Sequence, residues 1–197
     1  MVKNDEIKQK IIEATMKIIE ESDGDINNIT ARKIAQNSGV ALGLINYHFG
    51  SKENLIAECC KQIINDMLLG MAPGKVNYMA DDGLSDLERL ISFASQTFDY
   101  IYSNSSMVKI SILSDFKDYK ADGNSAFTQK GFQLALRGNF PEKRKKLIAF
   151  SLASIMQSAF LAGDNAKAIT GYDLKTKKQR DRFIRDTVTM LMSETEE

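Results

Sequence analysis

Two prolines, Pro73 and Pro141, are the only residues in 197 that would break a helix outright, and just twelve glycines accompany them. Proline deletes a helical hydrogen bond and collides with the preceding turn, so its scarcity leaves long stretches free to be helical. Apolar residues use that freedom. Ile7, Ile11, Ala14 and Ile18 recur at the three- and four-residue steps of one helix face, and Leu84, Leu87, Ile91, Ala94, Phe98 and Ile101 do so again. No stretch reads as a strand, and no internal repeat is evident. The expected fold class is all-α.

The punctuation divides the chain further. Asn4-Asp5-Glu6 reads as the cap of a first helix that Ser22-Asp23-Gly24-Asp25 ends. Thr30 suits the N-cap of a short helix from Ala31 to Asn37, Ser38-Gly39 a turn, and Ala41 to His48 a second short helix. Ser51 caps a fourth helix with Leu55, Ile56, Cys59, Ile63 and Met67 on one side. Met71 to Gly83, with Pro73, Gly74 and Asp81-Asp82-Gly83, is the expected linker. Helices are expected from Met107 to Tyr119 and from Ser125 to Arg137. A third opens at Pro141, and the last runs from Lys177 to Ser193. Residues 1–50 are expected to form one domain and 51–197 a second, with 51–70 as the connecting helix.

Composition excludes several classes. No run of 18 apolar residues appears, so no membrane partner is expected. The opening MVKNDEIKQK lacks an apolar signal core, which makes a cytoplasmic location the expectation. His48 is the single histidine and Cys59 and Cys60 the only cysteines, too few for a four-ligand zinc site; no metal or cofactor is expected. Adjacent helical residues point ~100° apart, so one thiol should be packed and the other partly exposed. No phosphate-cradling glycine loop or nucleophile–base pair asks for catalysis.

Net charge is zero, yet Thr30 to Lys52 contains Arg32, Lys33 and Lys52 and no acid at all. The same window, TARKIAQNSGVALGLINYHFGSK, carries the parts of a helix-turn-helix. Such a unit needs a small residue where its helices cross, a turn residue tolerant of positive φ, and an apolar anchor in the second helix. Ala35, Gly39 and Ile45 meet those needs, with Ile34 and Val40 beneath. Leu42, Gly43 and Asn46 share the opposite face of the second helix, where a recognition helix presents groups to base edges.

Gly39-Val40-Ala-Leu-Gly43-Leu-Ile45-Asn-Tyr47-His48-Phe49-Gly-Ser51-Lys52-Glu-Asn-Leu55 resembles the TetR family pattern G-V-S-x-G-x-L-Y-x-H-F-x-S-K-E-x-L. Ala41 stands where serine is usual and Asn46 where tyrosine is common. The resemblance covers roughly the first third of the chain. It implies a DNA-binding repressor acting as a homodimer on a palindromic operator. Thr30, Tyr47, His48 and Lys52 would meet phosphates, with Gly43 allowing close backbone approach. Arg32 would reach the major groove, Leu42 touch a thymine methyl and Asn46 read adenine. His48 filling a gap between helices stays open as the alternative.

The family's C-terminal helices form a ligand-binding and dimerisation domain. Here Leu147 to Ala162 is free of charge, with Ile148, Leu152, Ile155 and Ala159 as one stripe. Leu147, Phe150, Ser151, Ser154, Ser158 and Leu161 form another. Phe183, Ile184, Thr187, Val188, Met190 and Leu191 share a face of the last helix. The expected dimer interface is Ile148, Leu152, Ile155, Phe183, Thr187 and Leu191, with intramolecular core as the other reading. A small apolar effector is implied, its pocket residues unassigned among aromatics that are mostly expected to be core. An architectural or activating DNA-binding protein without an effector is the alternative function.

Overall fold

The computed structural model describes residues 2–68 and 83–193. Helices alone make up its regular structure among these residues: α1 (Val2–Glu21), α2 (Ala31–Ser38), α3 (Leu42–Phe49), α4 (Lys52–Leu68), α5 (Asp86–Ser103), α6 (Ser105–Lys117), α7 (Asn124–Ala135), α8 (Glu142–Leu161), α9 (Ala166–Thr170) and α10 (Lys177–Met192), with 3-10 turns at Ile26–Asn28 and Gly163–Asn165. The linker expected from Met71 to Gly83 falls, but for Gly83, outside the described residues, as do the side chains of Ile63 and Met67. Helix α1 begins at Val2, so Asn4 lies within it rather than capping it. No single described helix is long and apolar enough to cross a membrane.

The chain forms two compact units. The first joins residues 1–69 with 104–119, so residue 50 lies inside it, and α4 and α6 pack with α1 to α3. Its core is rich in isoleucine: Ile11, Ile18, Ile19, Ile29, Ile34 and Ile45 are fully buried, with Leu55 and Cys59 from α4 and Met107 and Ile110 from α6. Each such side chain contributes ~1.5–3 kcal/mol on burial. The buried face of α1 is wider than its sequence spacing suggests, taking in Ile12, Thr15 and Ile19. Thr15 is tolerated there because its hydroxyl donates to the Ile11 carbonyl at 2.7 Å.

At Gly24 the turn after α1 meets α6. Its φ is +73°, and a Cβ there would lie 2.9 Å from Lys109 Cδ and 3.1 Å from the Ser106 carbonyl oxygen. Both thiols of α4 are buried, contrary to the expectation that one would be partly exposed. Helix α6 is the reason: it covers the second face of α4 and sets Met107 Sδ 3.4 Å from Cys60 Sγ. Burial pushes both thiols up to about 12, so they are protonated and unreactive in the folded state.

The second unit holds residues 70–103 and 120–197, with α5, α7, α8, α9 and α10. Phe93 and Phe132 meet edge to face at 5.3 Å, joining α5 to α7, and Phe98 and Phe183 lie 5.7 Å apart where α10 packs on α5. A buried ion pair pins the start of α5. Arg89 donates to Asp86 at 2.8 Å and to the carbonyls of Leu84 and Ala135, while Asp86 accepts from the Gly138 amide at 2.6 Å. Arg180 and Lys177 of α10 both grip Asp99 of α5, at 2.9 and 2.6 Å.

The expected dimer residues divide. Ile148, Leu152, Phe183 and Thr187 are buried within the single chain, because α8 and α10 pack against each other and against α5. At most 7% of any of them is exposed. Ile155 and Leu191 are half-buried. The uncovered stripe of α8 is the other one, with Leu147 63% and Phe150 50% exposed, and Met190 points outward on α10.

Candidate nucleic-acid interface

Local chemistry sets the helix-turn-helix. Thr30 caps α2, its hydroxyl accepting from the Lys33 amide at 3.1 Å. Gly39 ends α2 with φ 67° and ψ 28°, the left-handed conformation that glycine adopts without strain, and its amide donates to the Ala35 and Gln36 carbonyls. The Val40 amide then donates to Ala35 at 3.1 Å, closing the turn. Ala35 and Ile34 are buried on α2, and Ile45 is the one fully buried residue of α3. The far end of α3 is tied to α4 by Asn54. Its carboxamide donates to the Phe49 carbonyl at 3.1 Å, and its amide to Ser51 Oγ at 3.1 Å.

That frame fixes which side of α3 faces outward. Leu42, Gly43, Asn46 and Tyr47 are all exposed, within an arc of ~140° on the helical wheel. Leu44, His48 and Phe49 are half-buried on the other side, around Ile45. Leu42 is 47% and Tyr47 73% exposed. Nothing in the chain lies within 4 Å of where a Gly43 Cβ would sit. The chain's own packing therefore gives no reason for glycine there. Ala41 supplies no side-chain cap, so the amides of Leu42 and Gly43 keep their donor capacity, while that of Leu44 donates to the Ala41 carbonyl at 2.9 Å.

The charges agree with this surface. Arg32 is exposed on α2 and is paired with no described residue. Lys33, its neighbour, turns away to Glu21 at 3.9 Å. Lys52 stands at the start of α4, 3.8 Å from Glu53, with a quarter of its side chain exposed. Thr30 is exposed, and its hydroxyl oxygen, which accepts as a cap, keeps its hydrogen to donate. His48 departs from the phosphate expectation at one atom: its Nε2 is buried without a hydrogen-bond partner, the ring lying edge-on to Tyr47 at 5.1 Å and tilted against Phe49.

Sequence reasoning passed over Gln36 and Asn37, exposed amides at the end of α2. The available signal was their absence from the apolar pattern of that helix.

Residues 11–59 match the family described as bacterial regulatory proteins, tetR family. These residues form a DNA-binding domain of the TetR type. The matched residues run from Ile11 of α1 to Cys59 of α4, and so enclose the whole TetR-type helix-turn-helix. The HTH-type transcriptional regulator BetI 2 of Chromohalobacter salexigens is 35% identical over 60 residues, which is 30% of this chain and 28% of that protein; the chain thus matches little more than a quarter of the relative's length. The likeness of fold is broader. A TetR transcriptional regulator from Rhodococcus sp. RHA1 superposes with TM-score 0.66 at 14% identity, over 95% of this chain and 97% of that one. The multidrug binding protein EbrR, solved with imidazole, superposes with TM-score 0.63 at 18% identity, over 96% and 92%.

Proposed function

We propose that this protein is a transcriptional repressor of the TetR type that binds a palindromic operator as a homodimer and is released by a small, largely apolar effector. The observation that carries the reading is the exposed, acid-free surface of α2 and α3. Arg32, Leu42, Asn46 and Tyr47 are held outward on a frame fixed by Thr30, Gly39, Ile45 and Asn54, with Lys52 beside it. A helix so presented fits the major groove, ~12 Å wide. Lys52, Tyr47 and the uncapped amides of α3 would hold the phosphates that set its register. Gly43 lets the backbone approach the duplex closely.

The dimer reading rests on exposed Leu147, Phe150 and Ser158 of α8, with half-buried Ser154 and Leu161 in the same stripe, and on exposed Met190 of α10. This apolar and small surface repeats along the part of α8 from Leu147 onward, which is free of charge, and suits two-fold packing against itself. The effector reading rests on likeness of fold to EbrR, a multidrug binding protein. An effector switches such a protein only by favouring the conformation that fits DNA less well. Helix α6 is a suitable messenger: its side chains pack in the first unit while its chain neighbours α5 and α7 belong to the second.

Footprinting the full-length protein on DNA fragments selected from a random library tests the reading. Two symmetric protected half-sites, centred about one helical turn (~34–36 Å) apart, are expected. Failure to select any sequence refutes it.

A further inference from the structure

Resting on the DNA-binding reading above, we infer that the core of each operator half-site is an A·T step, read by Asn46 on adenine and by Leu42 on a neighbouring thymine methyl. The inference comes from what α3 presents and what it withholds. No Lys, Arg, Asp or Glu occurs anywhere in Leu42–Phe49. Guanine offers two acceptors in the major groove and is read best by a cation with paired donors; cytosine offers an amino donor and is read by a carboxylate. Neither reader is on this helix. His48, the remaining nitrogen donor on α3, has its Nε2 turned into the protein. Arg32, exposed on α2, is the cation of the two helices suited to a paired guanine contact.

Adenine offers one acceptor, N7, and one donor, N6, which a single carboxamide satisfies together. Asn46 has that carboxamide on the exposed face, engaged by no described residue, whereas Asn54 spends its own on the Phe49 carbonyl. Around the helix Asn46 sits between Leu42 and Gly43, at ~40° from the first and ~60° from the second. On one flank it has an apolar side chain nearly half exposed. On the other it has bare backbone that lets the helix sink toward the base edges. Thymine is the one base with a methyl group in the major groove, and Leu42 is the apolar group placed to meet it.

The test uses the full-length protein and base analogues, which leave the protein untouched. Half-sites are first selected from a random library, and affinities for the selected operator are then measured by fluorescence anisotropy. Replacing the selected adenine by 7-deazaadenine, which lacks N7, is expected to weaken wild-type binding about tenfold and Asn46→Ala binding less than twofold. Replacing the adjacent thymine by uracil, which lacks the methyl, is expected to weaken wild-type binding about fourfold and to leave Leu42→Ala indifferent. Both residues are exposed, and matching circular dichroism and melting curves identify variants that retain the fold. Specific half-sites with G·C at the centre, or an Asn46→Ala protein still sensitive to 7-deazaadenine, overturn the inference and leave DNA binding intact. Absence of any selected sequence overturns both.

Discussion

Gly43 is a residue whose removal should improve the fold and damage the function. It lies in the first turn of α3, where a Cβ would meet nothing within 4 Å. Glycine costs a helix ~0.8–1 kcal/mol relative to alanine, chiefly through backbone entropy in the unfolded chain. Gly43→Ala should therefore stabilise the first unit by ~0.5–1 kcal/mol, a rise in Tm of ~2–4 °C, with the urea m-value unchanged. The added methyl stands on the face between Asn46 and Tyr47, where α3 would approach the duplex. Holding backbone and base edges apart should weaken operator binding at least tenfold, or ~1.4 kcal/mol. Denaturation followed by circular dichroism measures the first effect and anisotropy titration the second. Stabilisation without loss of affinity would refute the close-approach argument. Loss of stability would refute the description of the site as open.

Other substitutions and conditions test separate parts of the account. Thr97 is 3% exposed and its hydroxyl has no partner, so Thr97→Val, equal in shape, should stabilise the second unit by ~1 kcal/mol; destabilisation in urea would show that the hydroxyl is paired. Cys59 and Cys60 should resist a thiol reagent at pH 8 until the protein is unfolded; rapid labelling of the native state would contradict their burial. Because their folded values, about 12, lie above the unfolded value of ~8.5, native thiols keep protons that unfolded ones release. Their contribution to stability is thus fully present below pH ~8.5 and is lost as pH rises toward 12. Phe150→Glu places a charge on the uncovered stripe of α8 and should convert a dimer to a folded monomer in sedimentation; a wild-type monomer at micromolar concentration would refute the dimer.

The parts of this structure legible in sequence are those decided locally. Thr30 as a cap, Gly39 as a left-handed turn and Ile45 as an anchor each follow from a residue's own conformational preferences, so α2, the turn and α3 stand within a residue or two of their expected limits. What sequence left open depends on partners distant in the chain. Cys60 is buried by Met107, 47 residues away. Likewise the two stripes of α8 are equally free of charge, and only packing against α5, α7 and α10 decides that Ile148 and Leu152 go inside while Leu147 and Phe150 stay out. The packing of α4 depends on such partners too: Leu55, Ile56 and Cys59 complete a core begun by α1. His48 was ambiguous because a half-buried imidazole satisfies the same apolar pattern whichever nitrogen faces water.

The salt dependence of DNA binding tests the central claim most directly. Neutralising phosphates releases counterions, so the logarithm of the association constant should fall linearly with the logarithm of salt concentration. Lys52→Ala should lower the magnitude of that slope by ~0.9 per half-site and weaken selected and unselected duplexes about equally. Arg32→Ala should lose discrimination between sequences as well. An affinity for duplex DNA indifferent to salt, or a slope unchanged by Lys52→Ala, would contradict the placement of α3 in the groove with Lys52 on the phosphates.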